Sequence, residues 1–288
     1  LGEADCGGVG ESAGVAWQPD ATHSFTSTDR TVKFAQETNI ANEVLRWTYM
    51  YPTWAYPMGI VNAGTSSAPL YFAPNTLLKN RSRDENHNEV MEYKDKEGRT
   101  ILKYVQGPAG QWAQRYYVYD GFSNLVCVLP PEAVARLATE YFQLGSTDAT
   151  KDGFLNRWAF RYSFDAKKRM THKQVPGAEI VYMVYDKRDR LVLTQDGKQR
   201  SAATKYWTFT KYDALNRPIL TGIKDTTAAL TQSAMQNVVN AFYNKPWPRL
   251  FETYVGPVAG NVHGYSNKSY PVVTMGATIN AEHYLNAT

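Results

Sequence analysis

The chain has 288 residues, with 31 basic against 27 acidic side chains, a net charge of +4, 43% hydrophobic residues and 13% aromatic residues. That length supports a substantial core in one or two domains, and the 20 tyrosines favour strands, where rings pack well on a pleated surface. The charge is mild and holds no basic block or arm, which gives nucleic-acid binding no support, and no apolar run approaches the roughly 20 residues of a membrane helix.

In chain order, residues 1–30 are rich in Gly, Ala, Ser and Thr and are expected as an extended lead-in to a repeat region over 31–288. The start, LGEADCGGVGES, has neither a basic n-region nor an apolar h-region, so no signal peptide is expected in this stretch. Residues 31–50 alternate and then turn amphipathic; TNIANEV is open between a short helix and a strand edge. Residues 51–70 carry Pro and Gly punctuation and are expected as a loop or insertion. From 71 to 129 hairpins dominate. PPEAVARLATEYF opens on proline, has an acidic first turn and sets Val134, Leu137, Ala138 and Tyr141 on one face, which predicts a helix over 131–143. Leu230, Ala234, Val238, Ala241 and Phe242 recur at helical spacing and predict a second helix over 226–244, with Asp225 and Thr226 as cap candidates and Pro246 as the stop. More strand is expected through TYVGPVAGNVHGY.

One local pattern recurs. Five times an aspartate is followed four residues later by Arg or Asn, just before an extended apolar or β-branched run: Asp95 with Arg99, Asp120 with Asn124, Asp165 with Arg169, Asp186 with Arg190, and Asp213 with Arg217. A tyrosine stands one to three residues before each aspartate, and a sixth copy, Asp84 with Asn88, lacks it. Successive aspartates of the five lie 25, 45, 21 and 27 residues apart, a scale that indicates one supersecondary unit stacked repeatedly. An aspartate can accept hydrogen bonds from the turn backbone, and a left-handed residue closes a short hairpin loop. The third residue after the aspartate is Gly98, Ser123, Lys168, Asp189 or Asn216. Ser123 and Lys168 do not suit a left-handed position, so those two turns are expected to be built differently. Each repeat is predicted to be a β-hairpin, and the fold mainly β, with consecutive antiparallel hairpins forming a curved wall and two short helical insertions.

The copies YKDKEGR, YDGFSN, YSFDAKKR, YDKRDR and YDALNR are variants of the YDxxGR signature, and the chain resembles YD-repeat proteins of the Rhs and teneurin-like group, in particular their Bacteroidetes branch. Longer stretches carry the likeness too, among them TVKFAQETNIANEVLRW, VPGAEIVYMVYDKRDRLVLTQDGKQR and GNVHGYSNKSYP, so it extends from about residue 14 to 271. The resemblance implies a wall that spirals into a hollow β-shell, within a bacterial protein that is secreted or on the cell surface and much longer than this chain. It also implies that the segment encapsulates or displays a C-terminal effector or adhesive domain. The remainder of the parent protein or that domain would be its partner, with no cofactor. The Asp-Pro-rich self-cleavage motif of the family is absent, so neither proteolysis nor toxin activity carries over.

Other chemistry has thin support in the residues. His23, His87, His172, His263 and His283 are scattered, with no HExxH or CxxC, so no metal site is expected. GGVG at 7–10 lacks the following Lys-Ser or Lys-Thr of a phosphate loop, and there is no GxSxG elbow. Asp84 with Glu85, or Glu92 with Asp95, could flank a sugar as glycosidase carboxylates do, but the aspartates are better explained as turn residues, and no enzyme activity is expected. Aromatic faces stack on sugars, which makes carbohydrate binding the alternative function; Trp54 and Trp112, in loop-like sequence, are the candidates, whereas most tryptophans are expected to line sheet faces. Cys127, in the apolar run LVCVL, is expected to be buried, and a Cys6–Cys127 pairing is left open. KDTT (224–227) resembles a short O-glycosylation motif but fits a helix cap.

Overall fold

A computed structural model describes residues 25, 31–53, 55–65, 68–107, 110–143, 145–226, 228–258 and 263–272. The chain forms two compact units, Leu1–Phe160 and Arg161–Thr288.

The first unit holds a six-stranded antiparallel run in the order β1(Lys33–Thr38), β4(Leu78–Arg83), β5(Glu89–Lys94), β6(Thr100–Gln106), β7(Trp112–Tyr119) and β8(Leu125–Leu129), with a separate pair β2(Thr48–Met50) and β3(Ile60–Asn62). The strands alternate because neighbouring side chains point to opposite faces. Tyr93, Leu102, Tyr116, Val118, Cys127 and Leu129 are buried on one face. Trp47 packs edge-on against Tyr116 and Tyr141 over that face, and the Tyr141 hydroxyl donates to the Val61 carbonyl (2.7 Å). The opposite face leaves Phe34, Leu78 and Val105 exposed.

The second unit repeats the plan with β9(Phe160–Phe164), β10(Met170–Gln174), β11(Val181–Tyr185), β12(Leu191–Gln195), β13(Lys205–Tyr212) and β14(Pro218–Thr226), in sequence order and antiparallel throughout. In β13 the period of two buries Trp207, Phe209 and Lys211 on one face. Val184, Leu193 and Leu220 join them, and the helix α4(Gln232–Tyr243) covers the patch with Met235, Val239 and Tyr243. The fold is therefore mainly antiparallel β, made of consecutive hairpins.

The helices differ from the sequence expectation. The predicted helix over 131–143 is a single turn, α1(Pro131–Ala135), followed by a wider π-turn at Leu137–Tyr141 that brings Leu137 and Tyr141 into the core together. The second begins later than predicted, because β14 runs through Thr226; Thr231, not Asp225 or Thr226, caps α4 by accepting from the Ala234 N–H. The helix-cap role for KDTT fails for the same reason. Two helices were not foreseen, α2(Asp148–Trp158) and α3(Gly197–Ser201). Each starts in a reciprocal capping box, Thr147 with Thr150 and Asp196 with Gln199. Within 51–70, expected as loop, Ile60–Asn62 is β3.

Candidate functional site

Six turns share one geometry. In each, the aspartate N–H donates to the carbonyl of the residue four on, at 3.0 Å, and its own carbonyl accepts from the third residue on. One carboxylate oxygen accepts from two turn amides, those of Glu97 and Arg99 at Asp95, Arg188 and Arg190 at Asp186, and Leu215 and Arg217 at Asp213. The other oxygen takes the side chain four residues on: Arg99 Nε (2.7 Å), Arg169 Nε (2.7 Å), Arg190 Nε (2.8 Å) and Arg217 Nε (2.6 Å), or Asn124 Nδ2 at Asp120 (2.8 Å) and Asn88 Nδ2 at Asp84 (3.0 Å). Both oxygens of every repeat aspartate are thus engaged within the turn. Burial tends to raise the Asp213 carboxyl, but the Arg217 amide and guanidinium outweigh it and hold it below the usual carboxylate range. The Asn88 amide does the same for Asp84.

The third residue after the aspartate is left-handed in all six, including Ser123 (φ 63°) and Lys168 (φ 61°). The expectation that those two turns are built differently is therefore wrong. The two amide bonds to one carboxylate oxygen fix the loop strongly enough to hold a residue with a side chain there.

Hairpin alternation sets the ends. Within each unit the turns at Asp95 and Asp120, and those at Asp165, Asp186 and Asp213, close alternate hairpins and so fall at one end of the strands, whereas the Asp84 turn lies at the opposite end from that of Asp95. The register slips by one residue beside the five but not beside Asp84.

The five are not independent. Arg99 Nη1 reaches the next turn at Ser123 Oγ (2.9 Å), Arg169 Nη1 reaches Asp189 Oδ1 (2.7 Å), and Arg190 Nη1 reaches Asn216 Oδ1 (3.1 Å). Each acceptor is the left-handed residue of the following turn. The same guanidiniums lie over Tyr119, Tyr185 and Tyr212, at 5.1, 4.8 and 4.8 Å from the ring centroids. Each of those tyrosines directly precedes the next aspartate and returns its hydroxyl to the carbonyl just after the arginine: Thr100 (3.3 Å), Met170 (2.7 Å) and Leu191 (2.7 Å). The Tyr and the Arg of one motif therefore serve different neighbours. Tyr93, two residues before its aspartate, instead turns to the covered face and donates to Glu43 (2.6 Å); burial, helped by that carboxylate, pushes its hydroxyl pKa up.

Sequence reasoning missed a seventh, interrupted turn. Asn39 at the end of β1 donates its N–H to Leu77 O (3.2 Å), accepts at its carbonyl from Asn75 N–H (2.9 Å), and accepts at Oδ1 from Thr76 and Leu77 N–H (3.0 and 2.8 Å). Residues 40–74 are an insertion in that hairpin loop. It also missed a buried pair: Lys211 Nζ meets Glu252 Oε1 (2.9 Å), Asn267 Oδ1 (2.6 Å) and Ser269 O (3.2 Å), with both charged side chains fully buried. Burial would raise the Glu252 carboxyl, but the Ser266 and Ser269 hydroxyls, Lys211 and the Lys268 amide hold it below the usual range.

The tryptophans divide. Trp47 and Trp207 are buried, Trp158 donates to Glu140 (3.1 Å) beneath the Arg136 guanidinium, and Trp54 lies outside the described residues, as does Cys6. Trp112 is 37% exposed beside Tyr104, and Trp247 is 95% exposed. A cavity of about 400 Å³ beside the Asp95 turn is lined by Arg46, Trp47, Phe72, Lys96 and Tyr119 among others. Among the described residues no group of three His, Cys, Asp or Glu is placed to hold a metal, and no helix is long and apolar enough to cross a membrane.

No family model matches the chain, and no curated protein matches it. Among solved structures, the chain is similar at a TM-score of 0.37 to a chain of the Photorhabdus luminescens Tc holotoxin pore carrying the TccC3 mutation D651A, with 12% identity over 64% of this chain and 9% of that one. A TcdB2–TccC3 crystal structure gives the same score with 13% identity, again over 64% of this chain and 9% of that one. The chain thus spans about a tenth of the length of either.

Proposed function

We propose that the chain is a structural wall segment of a larger YD-repeat protein, secreted or at the cell surface, that encapsulates or displays a C-terminal effector or adhesive domain. The observation that supports this reading is the use to which the repeat residues are put. Each turn carboxylate is consumed by its own loop, and three arginines are spent on joining one hairpin to the next, which leaves the turn carboxylates nothing to offer a substrate. Turnover by these carboxylates is not expected, because a general acid or nucleophile needs a free oxygen facing the reacting atom. Strand edges in such a segment call for neighbours, since unpaired edge amides and carbonyls are costly and prone to association.

Limited proteolysis tests the reading. In the intact parent, residues 71–225 should resist cleavage while 51–70 is cut, and in the excised chain 71–225 should become sensitive. Equal resistance in both contexts would make this an independent domain and defeat the wall reading. A surface carbohydrate site is the second reading, favoured by the exposed ring of Trp112 beside Tyr104. Glycan binding lost in Trp112→Ala with unchanged stability would support it.

A further inference from the structure

The repeat motif follows a pairing rule within this chain. Where the residue four after the turn aspartate is Arg, the residue before the next turn aspartate is Tyr: Arg99 precedes Tyr119, Arg169 precedes Tyr185, and Arg190 precedes Tyr212. Where it is Asn, no tyrosine follows: Asn88 precedes Lys94, and Asn124 precedes Phe164. Both asparagine amides are spent on their own aspartates, and the Asp95 turn in any case lies at the opposite end of the strands from that of Asp84.

Arg217 breaks the series. It is an arginine with no following turn among the described residues. Its Nε holds Asp213 as in the other copies, but its terminal nitrogens meet no acceptor among the described residues, and its side chain is 70% exposed against 9% for Arg190. It stands at the head of β14, whose outer edge pairs with no strand among the described residues. Leu215 and Ile223 add exposed apolar surface on the same last hairpin.

We infer that Arg217 and the outer edge of β14 are the docking site for one further hairpin of the same repeat, whose first strand ends in Tyr directly before an aspartate-closed turn. That tyrosine would lie under the Arg217 guanidinium and return its hydroxyl to the Pro218 carbonyl, as Tyr212 does for Arg190 and Leu191. The inference rests on the wall-segment reading and supplies its partner's chemistry. A second copy of the chain entering through β1 does not fit, because β1 ends in Thr38 before Asn39 and offers no ring.

The test joins a copy of residues 205–226, which carries Tyr212 and Asp213, to the full chain through a flexible Gly/Ser linker after Thr288. Tethering raises the effective concentration into roughly the millimolar range, so a weak dock is visible. Hydrogen exchange then reads the β14 amides that face away from β13. The expected result is roughly tenfold or greater slowing relative to the chain without the tether, lost both in Arg217→Asn and when the tyrosine of the appended copy is replaced by Thr. Because Arg217 is exposed, its variant should fold normally, which an unchanged urea melt verifies. Slowing that survives both substitutions overturns the Arg–Tyr pairing while leaving strand addition intact. No slowing overturns the docking site. Slowing in the untethered chain that grows with concentration assigns the edge to a second copy and overturns the stated occupant. The proteolysis of the parent described above stands apart from all three outcomes.

Discussion

Arg190 and Arg217 occupy the same motif position, and their replacement should have very different costs. Arg190 holds the fully buried Asp186 carboxylate through Nε (2.8 Å) and Nη2 (2.6 Å), reaches Asn216 Oδ1 (3.1 Å), covers Tyr212, and also donates to the Leu250 carbonyl. Arg190→Ala leaves Asp186 with its two turn amides and no counter-charge. Breaking one side of a buried pair costs about 3–5 kcal/mol. The retained amide bonds place the expectation at the lower end, at about 3 kcal/mol. Arg217 makes one bond to its aspartate from an exposed position, so Arg217→Ala should cost about 1 kcal/mol or less. Urea melts of the full chain, checked for a separate transition of the second unit, measure both values. Equal costs would refute the idea that burial of the turn pair, rather than the motif position alone, sets what the arginine contributes.

Three other outcomes are expected. Lys211→Met should cost about 3–5 kcal/mol by stranding Glu252, and the Lys211→Met, Glu252→Gln double variant should cost less than the two single changes added, as read from urea melts. His172 is half-buried edge-on to Tyr182, and burial, with the Arg200 charge, pulls its pKa from 6.5 down to about 4. The folded state then binds fewer protons than the unfolded one, so stability is full above pH 6.5 and falls as pH drops toward 4; over that window melts of His172→Gln should lose about 3 kcal/mol less than the parent chain. Lys168→Gly should stabilise by about 0.5–1 kcal/mol, because it removes the side-chain penalty at φ 61°, and a lower denaturation midpoint would count against that view of the turn.

The hairpins and their closing aspartates are legible in the sequence because their partners lie within four residues. Ser123 and Lys168 depart from the expectation because residue preference is a property of the single residue, whereas the two hydrogen bonds that override it come from the neighbouring aspartate. The Asn39 turn was hidden because its two halves are separated by residues 40–74. α2 is polar, with Gly153 inside and few buried residues, so no apolar stripe marks it, although α3 carries an Asp-x-x-Gln cap signature that could have been used. Lys211 and Glu252 are 41 residues apart and carry no motif. The Arg-to-Tyr coupling is present in the sequence, but only when one copy is compared with the next rather than with the consensus.

The coupling between successive turns is tested most directly by a double-mutant cycle on Arg169 and Tyr185. The guanidinium lies 4.8 Å from the ring centroid, and the tyrosine hydroxyl closes on Met170 O at 2.7 Å. Stabilities of Arg169→Ala, Tyr185→Leu and the double variant, from urea melts, should give an interaction energy of about 1 kcal/mol. Costs that add to within roughly 0.3 kcal/mol would contradict the claim that these residues join one hairpin to the next.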